Sequence, residues 1–207
     1  MKKFFFITLC VLAVACTKTP EQKAEVLIKN EILKSLVLPD TYQAVETRLD
    51  SAFTPSHDPE VINTVLDICN KGMEMDKLDK EMKRAKSSMA IWSGPYMSAY
   101  DKEQYRQAEE DYNAAKSRYD ALIGKVRKSA KALKEMRAKD QEFNGYFVHH
   151  RYRANNNAGN TILSGKYFLF DKDISKIIAQ WEEEEIDAYN EFMEQVAEAA
   201  LEAESSN

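Results

Sequence analysis

The chain has 207 residues, with 29 basic side chains against 34 acidic ones and a net charge of −5. This length suits one domain with an elaboration, or two small domains. The acidic balance argues against binding nucleic acid or anionic lipid through the overall field of the molecule.

The N-terminus carries Lys2 and Lys3, then an apolar run from Phe4 to Val14. That run is too short to span a bilayer, which needs roughly 20 apolar residues. Positive charge followed by a short apolar run reads as an export signal, here residues 1–15. The run ends Leu12-Ala13-Val14-Ala15-Cys16. This resembles the lipobox of bacterial lipoproteins, in which small residues precede a cysteine that is lipidated. Ala13 stands where that motif usually has Leu, and Leu12 is one place earlier. The resemblance implies an acylated Cys16 with residues 16–20 as a polar tether. Several acyl chains, at about 0.8 kcal/mol per buried methylene, hold a domain on a membrane stably. Loss of Lys2 and Lys3 with the leader leaves 27 basic and 34 acidic residues, net −7. Cys10 leaves with the leader and Cys16 carries lipid, so Cys69 is alone and no internal disulfide forms. Its apolar helical surroundings make it a small core residue.

Residues 20–38 read as a helix, with Pro20 in its first turn and Ala24, Leu27, Ile28, Ile32 and Leu36 near one face. Pro39 ends it, because proline disfavours helix in the residue before it. Thr41 to Phe53 reads as a strand, with Val45, Thr47, Leu49, Ser51 and Phe53 on one face. Tyr42 is out of phase, which suggests a bend near the start. Asp58 and Pro59 then open a long helix, as cap and first-turn residue.

That helix runs to about Trp92 and is broken by Ser93-Gly94-Pro95. A second follows from about Ala99 to Ala138. Tyr105, Ala108, Tyr112, Ala115, Tyr119, Leu122, Val126, Ser129, Leu133 and Met136 hold a 3/4 spacing, the seam of a coiled coil. Two such helices joined by a short Gly-Pro turn lie antiparallel. Their charged outer faces read as solvated surface with i,i+4 pairs.

From Gly145 to Ala154 the sequence alternates. Tyr146, Val148, His150 and Tyr152 point one way; Phe147, His149, Arg151 and Arg153 point the other. Asn155 to Asn160 is a turn, since Asn and Gly tolerate positive φ. Thr161 to Phe170 is a further strand. Asp173 is expected to cap a last helix carrying Ile174, Ile177, Ile178, Trp181, Tyr189, Phe192, Val196 and Leu201. The expected fold is α+β and mostly helical. It has a small three-stranded antiparallel sheet with packed helices and a long inserted antiparallel helical hairpin. Residues 21–58 and 139–207 form the α+β core, and residues 59–138 the coiled-coil-like insertion.

Two motifs add a resemblance. Leu36-Val37-Leu38-Pro39-Asp40-Thr41-Tyr42-Gln43-Ala44-Val45 resembles the L-x-x-P-D-S-Y-x-x-V junction of small, uncharacterised Bacteroides-type envelope lipoproteins. His150-Arg151-Tyr152-Arg153-Ala154-Asn155, with the turn after it and Phe168-Leu169-Phe170-Asp171, resembles their H-x-Y-R-A-x-N-x-x-G … F-x-F-D hairpin. Thr41 replaces the usual Ser, and one extra residue precedes the Gly. The likeness covers about a third of the chain. It implies an envelope lipoprotein and brings no catalytic residues with it.

The residues point to no catalytic set, cofactor or metal. His149 and His150 are adjacent in a strand and face opposite ways, so they do not share an ion. There is no G-x-S-x-G, no H-E-x-x-H and no phosphate-cradling glycine loop. The expected function is a non-enzymatic lipoprotein anchored through Cys16, exported and placed at the outer membrane. Its helical arm would act as a protein-interaction or structural module on an envelope protein partner, with no nucleic acid involved. The alternative is an envelope small-molecule or glycan-binding protein, hydrolytic or not, using Arg151, Arg153, Tyr152 and Tyr167 on the sheet.

Overall fold

The structure is a computed structural model that describes residues 18–205, with side-chain surroundings through residue 198. The expected leader and Cys16 lie outside the described residues. The elements are α1 (Pro20–Ser35), a 3-10 turn (Pro39–Thr41), β1 (Gln43–Thr54), α2 (Pro59–Trp92), α3 (Ala99–Arg137), β2 (Glu142–Asn155), β3 (Thr161–Phe170), β4 (Ile177–Glu182) and α4 (Glu183–Ser205). The fold is α+β and mostly helical, with one antiparallel sheet in the order β1-β2-β3-β4. No helix among the described residues is long and apolar enough to cross a membrane.

The chain divides into two compact units. The first runs to Phe53 and resumes over Phe143–Glu183. In it α1 lays Ala24, Ile28 and Ile32 on one face of the sheet, against Val148, Tyr152, Ala154, Phe168 and Phe170. The helical spacing of four puts the three α1 residues in one row. The strand spacing of two puts the β2 set on one face, and Val148 stands opposite Phe168 in the β2–β3 register. A thorough burial of each large side chain contributes about 1.5–3 kcal/mol. Thr19 caps α1 in a reciprocal box with Gln22, with Pro20 behind it.

The sheet has four strands, not the expected three. Residues 177–182, expected to be helical, pair with β3 as an edge strand, Tyr167 opposite Trp181. Their exposure alternates and ends on a buried Trp181. The turn before them is built on Asp171 rather than on Asp173 as a helix cap. Asp171 Oδ1 accepts from Ser175 N at 2.6 Å and Lys176 N at 3.2 Å. Ile174 takes φ of 51°, the left-handed region. Ile174, Ile177, Ile178 and Trp181 fit a helical face, but Ile177, Ala179 and Trp181 also fit a strand. The open edge of β3 decided between them, as tertiary context often does.

The second unit comprises Thr54–Glu142 and the chain from Glu184 onward. Asp58 caps α2 by accepting from Glu60 N at 2.8 Å. α2 and α3 are antiparallel: Arg118 meets Glu74 at 3.2 Å, and Ser129 Oγ donates to Asp67 at 3.3 Å. Every residue of the expected α3 stripe is buried or half-buried, with Ala108, Ala115, Leu122 and Leu133 deepest. Leu78 of α2 packs with Ala115 and Leu122. With 34 and 39 residues, the helices extend on the order of 50 Å at 1.5 Å per residue. α4 belongs to this unit, whereas the sequence groups residues 184–207 with the sheet. The Tyr189 hydroxyl donates to the Ser56 carbonyl at 2.9 Å, and Phe192 and Val196 line an apolar groove with Ile68 and Leu133. Cys69 is a free, half-buried thiol, and burial pushes its pKa up so that it stays protonated.

Candidate functional site

Three places concentrate chemistry: the buried face of the sheet around His150, the opposite face around His149, and the end of the helical arm. The strand alternation separates the two histidines as expected. His150 is fully buried beneath α1. Its Nε2 is 2.9 Å from Tyr42 Oη, and its Nδ1 is 2.9 Å from Thr47 Oγ1. A neutral imidazole has one donor and one acceptor, and a hydroxyl can answer either. Burial is the main force holding the His150 pKa below its ordinary value; Glu25 pushes it up and His149 pushes it down. The Tyr42 and Tyr152 rings have centroids 6.3 and 6.1 Å from the imidazole and 5.7 Å from each other, so the three rings form one cluster. This is a core histidine with both ring nitrogens partnered.

The same contacts join the two motifs that carry the family resemblance. Tyr42 reaches His150, and Asn155 N donates to Thr41 Oγ1 at 2.9 Å. A hydroxyl at position 41 therefore ties the junction to the far end of β2, a task that Ser or Thr can perform. The asparagines serve the turn. Asn156 Oδ1 accepts from Ala158 N and Asn160 N at 3.0 Å each, and Gly159 supplies φ of 80°.

On the other face, His149, Tyr167 and Trp181 stand opposite one another across three strands. His149 and Tyr167 stack at 4.4 Å and 10°, and Phe147 lies on Tyr167 at 5.2 Å. Glu183 closes the row, with Oε1 at 3.1 Å from His149 Nε2 and 3.8 Å from Arg151 Nε. Neither contact is a well-aligned hydrogen bond. Arg151 and Glu183 are about a third exposed, so the ion pair contributes roughly 0–1 kcal/mol. A histidine beside a carboxylate is the arrangement of a general base. Here the imidazole is only 16% exposed, and Tyr167 covers one of its sides.

Of the four sheet residues that the sequence marks for a ligand, Arg151 and Tyr167 share this face. Arg153 is exposed nearer the β2–β3 turn, opposite Leu163. Tyr152 is buried on the opposite face among the α1 contacts, because its position in β2 has the parity of His150. The four do not converge. Glu183 belongs to the acidic run Glu182–Glu185, within the stretch that the sequence pattern makes helical. One signal pointed there: Gly165, a glycine inside a strand, often marks a close approach.

A methyl group on Gly165 would stand 1.9 Å from Glu183 Oε2 and 3.2 Å from its Cβ. Gly165→Ala is expected to cost about 1–2 kcal/mol, since the carboxylate can swing away but its stem must give. In a Glu183→Ala background the same substitution should cost much less. Urea unfolding of the four variants measures this. Equal costs in both backgrounds would show that Glu183 does not rest on Gly165.

The described residues contain no group of three or more His, Cys, Asp or Glu placed to hold a metal ion. Comparison with family models, curated proteins and solved structures finds no match.

The arm ends in apolar surface. Ile91 is 72% exposed, Tyr96 97% and Tyr100 64%. Trp92 meets the Tyr100 ring edge-on at 5.7 Å. These residues occupy the last turn of α2, the connecting loop and the first turn of α3.

Proposed function

We propose that the chain is a non-enzymatic envelope lipoprotein, anchored by acyl chains on Cys16 at the outer membrane, that works as an interaction module. Its two-helix arm supplies reach, and the end of the arm makes the contact with another envelope component. The observation that carries this reading is the exposed cluster of Ile91, Tyr96 and Tyr100 at the end of an otherwise charged hairpin. Large apolar side chains gathered at one end of a soluble element mark an interaction surface. The leader, the Cys16 pattern and the two motifs resembling Bacteroides-type lipoproteins support the anchored placement.

The sheet offers less to a ligand. Its Tyr152 face is covered by α1, and on the other face Arg151 and His149 are already turned to Glu183.

Crosslinking in intact envelopes tests the proposal. Wild-type chain should be recovered in the membrane fraction with the arm's end crosslinked to its neighbour. Cys16→Ala should leave the membrane fraction, and Ile91→Asp with Tyr96→Asp should lose the crosslink while staying folded. An unchanged crosslink pattern in the double variant would remove the arm from the interaction.

A further inference from the structure

The second unit holds an open apolar groove of about 630 Å³ between α3 and α4. Val126, Ala130 and Leu133 of α3 line it with Phe192 and Val196 of α4 and Ile68 of α2. Ile68 and Leu133 are buried, whereas Val196 is 38% exposed, so apolar surface runs from the core out to solvent. Sites for small molecules have this size and are mostly apolar, with a few polar groups that fix orientation.

The polar groups here are two cations, Lys134 and Arg137, and among the described residues no carboxylate lines the groove. Both are exposed, and neither forms an ion pair among the described residues. The surrounding acids are turned elsewhere. Glu191, Glu194 and Glu198 of α4 stand roughly 120–180° around that helix from the row of Phe192 and Val196, and Glu135 stands about 160° around α3 from Leu133. Cations are at ease in the last turn of a helix. That accounts for their presence on α3 but not for their place at the groove.

Charge and apolar surface are separated along the groove. From Val126 to Ala138 its α3 wall is about 18 Å long at 1.5 Å per residue. The part at Val126 and Ala130 is uncharged, and the cations occupy the last turn. Lys125, Arg127, Lys128 and Lys131, the other basic residues of this stretch, do not line the groove. An acidic amphipathic helix carries its charges along its whole length, and it would find cations at one end only. A molecule with one apolar tail and one anionic head matches both parts.

We infer that this groove binds a single-chain anionic amphiphile. Its acyl chain lies along Val126, Ala130 and Val196, and its carboxylate or phosphate is held by Lys134 and Arg137. The site is separate from the end of the arm, so the inference goes beyond the interaction reading and does not rest on it.

Binding of dansylundecanoate, which brightens in apolar surroundings, tests this on the full chain carrying Cys16→Ala, a form that needs no detergent. Saturable binding is expected, displaced by laurate and by dodecyl phosphate; the one effective at lower concentration names the head group. Dodecanol should displace less well, and dodecyltrimethylammonium should not displace at all. Lys134→Ala with Arg137→Ala should weaken laurate binding roughly tenfold and leave dodecanol nearly unchanged. Ala130→Trp, at an exposed helical position, should fill the groove and abolish binding of both while helicity and thermal unfolding are kept. Equal displacement by laurate and the ammonium, or unchanged laurate binding in the double variant, would overturn the anionic head. Binding that survives Ala130→Trp in folded protein would overturn the location. Absence of saturable binding would overturn the inference outright, and a dimer that Ala130→Trp dissociates in sedimentation would then assign the groove to a second copy of the chain.

Discussion

Gly145→Ala is expected to lower stability by about 3 kcal/mol or more, enough to leave little folded protein if the domain is of ordinary stability. Gly145 has φ of 148°, where glycine is at ease and alanine is not. A methyl group there would stand 2.0 Å from the Phe170 carbonyl oxygen and 3.1 Å from the carbonyl carbons of Phe170 and Asp171. Those are main-chain atoms of the turn that Asp171 organises, and they cannot rotate aside as a side chain does. The contrast with Gly165 is the useful control. There the obstacle is a glutamate carboxylate, and the expected cost is less than at Gly145. Urea unfolding of the two variants side by side checks the order. If Gly145→Ala unfolds at the wild-type midpoint, the close packing of β2 on the Phe170–Asp171 turn is incorrect.

His150→Ala is expected to cost about 2–4 kcal/mol, from the void under α1 and the two hydroxyls left without the imidazole. It should also change how stability depends on pH. His150 has a lowered pKa in the fold, mainly through burial. In the unfolded chain it titrates near the ordinary value of 6.5. Above that pH neither state binds the proton, and the full stability is present. As pH falls below it, the unfolded chain takes up a proton that the folded chain resists, so stability falls until pH passes the lowered folded value. Wild-type chain should therefore lose stability on acidification through this window, and His150→Ala should lose less. Denaturant midpoints measured for both across the window decide this. Parallel pH curves would show that His150 is not the group responsible. Tyr42→Phe, which removes one of the two hydroxyls, should cost about 1 kcal/mol and keep the pH dependence.

Much of the architecture was legible in the sequence, because it follows from residues within a turn or two of each other. The α3 stripe from Tyr105 to Met136 holds its spacing over several heptads, and only an extended helix with one buried side satisfies it. Pro39, Pro59 and the Ser93-Gly94-Pro95 break mark boundaries because proline restricts the backbone locally. The opposite directions of His149 and His150 follow from the pleat of a strand. Tyr42 stood out as misaligned with β1, and it precedes that strand, where its hydroxyl reaches His150.

What was not legible depends on distant partners. The stretch 174–181 satisfies both a helical and a strand pattern, and the choice fell to the free edge of β3. The ligand face expected from Arg151, Arg153, Tyr152 and Tyr167 breaks at Tyr152, which strand alternation places among the α1 contacts. Glu183 looked like one acid in a run of acids, yet it is the one whose stem rests on Gly165 and whose carboxylate meets His149. Charge runs in a sequence do not say which member is engaged, since that depends on what the sheet brings opposite.

Local pattern sufficed for α1, β1, α2, α3 and the two faces of the β2–β3 hairpin, because covalent geometry and local sterics act between near neighbours. That His150 bonds to both Tyr42 and Thr47, partners 108 and 103 residues away, came from long-range packing. The tertiary structure likewise decided that Ile91, Tyr96 and Tyr100 stay exposed rather than folding back into a core. Burial is a property of the assembled surface, and no local pattern contains it.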